Sequence, residues 1–185
     1  MGEDLLKKIN YDTQAVDSNY ELHDQAYAIA SFPSNRSKLV IGNSSSKLFK
    51  NNLSQLGSES GRAEIITDFN IENAFPIMSF VGPIYRLAIS PDEAYIAGSS
   101  TECSIAVYKV EQNKAYKPKP ANESSCLHIG FSSNVKYVSS TGCEGAINIY
   151  SIEKMEDNPL DCKVKSQKIA KETRLDSSQL LRFDW

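Results

Sequence analysis

Residues 85–110, YRLAISPDEAYIAGSSTECSIAVYKV, lie over residues 127–152, LHIGFSSNVKYVSSTGCEGAINIYSI, without a gap. Tyr95 then meets Tyr137, Glu102 meets Glu144, Ile105 meets Ile147, Tyr108 meets Tyr150 and Ser90 meets Ser132. Apolar positions coincide as well: Leu87 with Ile129, Ile89 with Phe131, Ile96 with Val138, Val107 with Ile149 and Val110 with Ile152. Each copy reads as two apolar strands split by a turn, followed by a Ser/Thr-rich turn and a third strand. The offset, 150 − 108 = 42, falls in the range of about 40 to 45 residues that one four-stranded propeller blade occupies. The fold class this implies is all-β, a propeller.

A closed propeller needs roughly four to eight blades. The 185 residues, 41% of them hydrophobic, suffice for a sizeable core, but at this period they supply only about three to four blades. The expectation is therefore an incomplete propeller. Residues 26–32 and 38–42 form strands around the turn at 33–37, with a shortened third strand at 46–50, so that a degenerate blade spans about 20–62. The Asn-, Ser- and Gly-rich stretch 51–62 is a surface loop, and 63–69, AEIITDF, an outer strand leading into the central repeat. Further blades span about 63–110 and 111–152, and QLLRFDW at 179–185 starts another as residues 85–89 do. Residues 1–21, polar and poorly periodic, read as the ragged outer edge of a blade.

A net charge of −3 is too mild to mark a polyanion-binding protein or an acidic tail. Cys103, Cys126, Cys143 and Cys162 form no Cys-x-x-Cys pair, and residues 1–8 are not an apolar leader, which points to reduced thiols in nucleus or cytosol. In such a compartment the Asn-x-Ser sequons at Asn35, Asn43, Asn52 and Asn122 carry no meaning. No apolar stretch approaches the length of about 18 residues that a membrane-spanning helix needs.

Turn chemistry explains the repeat. Pro91 presets a turn after Ser90, and Asp92 bonds its own backbone to reverse the chain. In the second turn Glu102 and Glu144 stand among small residues, where a carboxylate accepts backbone amide bonds; these are structural turn acids. Two stretches concentrate positive charge and read as loops between strands. Lys114, Tyr116, Lys117 and Lys119 lie in 111–125, interrupted by Pro118 and Pro120, and Lys163, Lys165, Lys168 and Lys171 lie in the long connection 161–178. They are the candidate nucleic-acid or partner contacts, the lysines on phosphates and Tyr116 stacked on a base.

Catalytic and metal-ligating patterns do not assemble. His23 and His128 have no ligand spacing, and there is no Gly-x-Ser-x-Gly elbow and no phosphate-binding Gly-rich loop. The carboxylate clusters at 91–93 and 153–157 fall in turns, where solvated charge is the simpler reading. The chain reads as non-enzymatic, with no cofactor, no metal and no small-molecule substrate.

The segments GSSTECSIAVY (98–108) and STGCEGAINIY (140–150, with Ser140 opposite Gly98) resemble the closing pattern of the WD repeat, with Glu102 and Glu144 for the usual Asp and Tyr108 and Tyr150 for Trp. No Gly-His pair precedes either. The order of segments, namely 25–28, 38–40, 86–100, 139–150 and LRFDW at 181–185, is similar to the N-terminal propeller of the WD-repeat and HMG-box DNA-binding protein family, from about Tyr20 onward. That resemblance implies a nuclear platform in DNA replication and chromatin, a replisome adaptor linking DNA polymerase alpha to the replicative helicase. A WD-repeat scaffold of another nuclear or cytoplasmic complex is the alternative.

Overall fold

The computed structural model describes residues 5–10, 12–21, 25–44, 61–68, 70–100, 104–118, 126–142 and 145–168. An N-terminal hairpin pairs β1 (Leu5–Ile9) with β2 (Val16–Glu21). Three four-stranded antiparallel sheets follow, each a meander in chain order. The first contains β3 (Gln25–Ser31), β4 (Leu39–Ser44), β5 (Gly61–Thr67) and β6 (Asn70–Phe80). The second contains β7 (Ile84–Ile89), β8 (Tyr95–Ser100), β9 (Ile105–Lys109) and β10 (Lys114–Tyr116). The third contains β11 (Cys126–Phe131), β12 (Tyr137–Gly142), β13 (Ala146–Ser151) and β14 (Lys163–Lys168). The fold is all-β, an incomplete propeller.

The 42-residue repeat reappears strand by strand: 84 + 42 = 126 starts β11 and 95 + 42 = 137 starts β12. The repeated turn is built as its residues require. Ser90 Oγ donates to Asp92 Oδ1 at 2.6 Å, while the amides of Ala94 and Tyr95 donate to Asp92 Oδ1 and Ser90 Oγ at 3.1 and 2.9 Å. Forty-two residues on, Ser132, Asn134, Lys136 and Tyr137 reproduce those bonds. The offset ends at the fourth strand, because a short helix α1 (Ile152–Asp157) and a 3-10 turn (Pro159–Asp161) are inserted before β14.

Sheets stack face to face, and the middle one is buried on both sides. Ile96, Ala106 and Tyr108 face a core shared with Val40, Ala63, Met78 and Phe80 of the first sheet. Their neighbours Ala97, Ile105 and Val107 face a second core with Ile129, Val138 and Tyr150 of the third. This explains why β9 reads as a near-continuous apolar run, IAVY, since a strand buried on both faces has no polar side to alternate with. Small residues set the spacing. A Cβ at Gly42 would lie 2.7 Å from Ile84 Cγ2, so the first and second sheets approach that closely only because the side chain is absent.

The sheets divide the chain differently from the expected segments 20–62, 63–110 and 111–152. The stretch 63–69, expected to lead into the central repeat, contributes β5, which pairs with β4 and β6 inside the first sheet. Its β-branched run is the same in either place, and only the partner strand decides. Both basic stretches, expected as loops, contain strands. Lys114–Tyr116 pairs with β9, and Lys163–Lys168 pairs with β13. In KVKSQK a single apolar residue leaves no alternation to read, and an outer strand rich in lysine is what a sheet edge requires. Residues 1–21, read as a ragged edge, contain the β1–β2 hairpin. The third strand expected at 46–50, the further blade at 179–185 and most of the loop expected at 51–62 lie outside the described residues; the last two residues of that loop, Gly61 and Arg62, begin β5 instead. No helix among the described residues is long and apolar enough to cross a membrane.

Candidate functional site

At the end of the stack that carries the repeated turns, neighbouring sheets are joined by carboxylates. Glu93 occupies the left-handed region at φ 60° in the turn of the second sheet. Its Oε1 accepts from the Ser34 amide at 2.5 Å and its Oε2 from the Ser34 hydroxyl at 2.6 Å, across the junction with the first sheet. These hydrogen bonds hold its carboxyl below the ordinary value of 4.5.

The next junction uses the inserted helix. Ser151 caps α1, its Oγ accepting from the Lys154 amide at 3.3 Å, and buried Ile152 and Met155, three residues apart, seat the helix against the third sheet. Asn158 and then Pro159 end it. Glu156 is thereby turned toward the second sheet, where both its oxygens accept from Lys109 Nζ at 2.9 and 2.8 Å and Oε1 accepts from the Tyr95 hydroxyl at 2.5 Å. Burial opposes the Glu156 charge, but the Lys109 and Tyr95 hydrogen bonds outweigh it and keep the carboxyl below its ordinary range. Burial, then the bond to Glu156, raises the Tyr95 hydroxyl, and the same carboxylate raises Lys109. Glu93 and Glu156, read from sequence as solvated turn charges, are therefore joints between sheets. No local pattern could show this, because their partners lie 59 and 47 to 61 residues away.

Beside Glu156 opens a cavity of about 450 Å³, walled in part by Tyr95, Val135, Tyr137, Ile152 and Glu153. Sequence reasoning missed it, since its walls come from a turn, a strand and an inserted helix.

The expected nucleic-acid or partner residues fare differently. Lys114, Lys163 and Lys165 are exposed on the outer strands of the second and third sheets, and Lys117 is exposed just past β10. Tyr116 is not a surface ring. It is 4% exposed in the second core, its hydroxyl donating to Gln112 Oε1 at 2.9 Å, with Lys114 Nζ 4.7 Å from the ring centre. Stacking on a base is closed to it, because its ring packs inward between sheets, which the Pro- and Lys-rich flanks concealed. Lys168 ends β14. Lys119, Lys171, Glu102 and Glu144 lie outside the described residues. Cys126 and Cys162 are buried thiols, and burial raises the latter. His128 sits on β11 opposite Thr141.

Stacked four-stranded meanders of this kind define a β-propeller-type fold. A solved structure described as RRP9 WD40 repeats is similar, with TM-score 0.59 at 10% identity over 82% of this chain. The matched region is 41% of that chain, so the present chain spans less than half of its length. No family model matches the sequence, and no curated protein matches it.

Proposed function

We propose that the chain is a non-enzymatic interaction platform, part of a nuclear adaptor that connects DNA polymerase alpha with the replicative helicase. What supports this reading is the order of segments along a stack of propeller sheets, 25–28, 38–40, 86–100 and 139–150, which resembles that of the N-terminal propeller of the WD-repeat and HMG-box family. A rigid stack with its connections at two ends suits such work, since the sheets fix the position of turns and inserts that partners touch. The likeness to a WD40 domain bears on fold alone, and 1036 solved chains match this chain. That breadth favours a second reading, a WD-repeat scaffold in another complex.

Pull-down of the full-length protein against polymerase alpha and helicase subunits separates the two. Recovery of both supports the replisome adaptor, and recovery of neither, from cells in S phase, overturns it. Exposed Lys163 and Lys165 make DNA binding part of the same proposal. Reversing Lys163, Lys165, Lys168 and Lys171 to Glu is expected to weaken DNA binding and lower its salt slope by about one for each phosphate that is no longer neutralised. An unchanged affinity and slope would remove DNA from it.

A further inference from the structure

The cavity owes its existence to a departure from the repeat. Positions 93 and 135 are equivalent under the 42-residue offset, and both are left-handed, at φ 60° and 56°. Glu93 reaches across and closes the first junction on Ser34. Val135 has no carboxylate to reach with; the second junction is bridged from the inserted helix by Glu156 instead, and beside that bridge opens the 450 Å³ cavity, a size within the range of about 300 to 1,000 Å³ typical of ligand pockets. A β-branched residue in the left-handed region is a costly choice for a turn, where Gly or Asn is usual.

The walls already hold one cation. Lys109 Nζ lies on Glu156 at 2.8 Å and 5.8 Å from the centre of the Tyr95 ring. Tyr137, the repeat equivalent of Tyr95, and Glu153 bring the same two group types to the same cavity. Tyr137 is 39% exposed, and Glu153, also exposed, has no hydrogen bond or ion pair among the described residues. We propose that this pocket binds an arginine side chain presented by an extended segment of a partner protein. The guanidinium lies on the Tyr137 ring and pairs with Glu153, and its apolar stem runs along Val135 and Ile152. Arginine fits better than lysine, because a planar, weakly hydrated guanidinium stacks on an aromatic face and pairs with a carboxylate at once. An acidic side chain would meet the unpaired Glu153 carboxylate, since Lys109 is already taken up by Glu156.

The inference rests on the pocket and is independent of the replisome reading. It is tested by NMR titration of the full chain with acetyl-Gly-Arg-Gly-amide, and with the citrulline and glutamate counterparts. Arginine is expected to bind, shifting the amides of Tyr95, Tyr137 and Glu153. Glu153→Gln and Tyr137→Leu are each expected to weaken it by about tenfold with Tm retained. Equal shifts from the citrulline or glutamate peptide, shifts elsewhere only, no shifts, or unchanged affinity in both folded variants would overturn it. Failure of the replisome pull-down would not bear on this result.

Discussion

Glu93 and Glu156 couple the sheets to pH. Both carboxyls titrate below their ordinary value of 4.5 in the folded chain, so their contribution is complete above that pH and is lost as pH falls through the lowered folded values. Tyr95 and Lys109 are raised from 10.0 and 10.5, so theirs is complete below about pH 10 and is lost as pH rises further. Urea midpoints measured across pH are expected to form a plateau with an acid and an alkaline limb. Glu93→Gln flattens the acid limb, and Glu156→Gln flattens both; limbs unchanged in the double variant would show that these joints contribute nothing. Val135 carries the opposite expectation. Val135→Asn, which tolerates the left-handed region, is expected to stabilise the chain by about 1 kcal/mol, read as a higher urea midpoint at unchanged slope.

Packing of one sheet on the next depends on missing side chains. A Cβ at Gly61 would collide with the Gly82 carbonyl oxygen, one at Gly42 would meet Ile84 at 2.7 Å, and one at Gly98 would meet only Met78 Cε and the Phe80 ring at 3.3 to 3.4 Å. Substitution by Ala is therefore expected to cost most at Gly61, about 1 to 3 kcal/mol at Gly42 and least at Gly98, where the Met78 tip can yield. Thermal unfolding of the three variants checks the order. The repeat made β7, β8, β11 and β12 legible, because Ser90 and Ser132 open equivalent turns and Tyr95 and Tyr137 begin equivalent strands. It could not place β5 or β14, since strand partners are chosen by non-local pairing and KVKSQK has no apolar period. The joints and the cavity were illegible for a related reason: a glutamate in a turn looks solvated until Ser34 or Lys109 is brought to it by the stack. Tyr116 misled in the other direction, its polar neighbours hiding a ring anchored in the core.

The molecule as a whole is a stack in which the second sheet contributes alternate residues to two cores, Ile96 and Ala106 to one, Ala97 and Val107 to the other. Each sheet is thus stabilised mainly by its neighbours, as in other repeat architectures. Truncation of Ile96, fully buried, is expected to loosen both the first and second sheets, with Ile96→Ala costing about 2 to 5 kcal/mol. The 42-residue register underlies fold, junctions and pocket alike, and amide hydrogen exchange on the full chain tests it most directly. The expected result is matched protection in β8 and β12 and in β9 and β13, position by position at the repeat offset, with the amides of Tyr95 and Tyr137, both bonded to the serine that opens their turn, exchanging slowly together. Protection that follows no such register would contradict it.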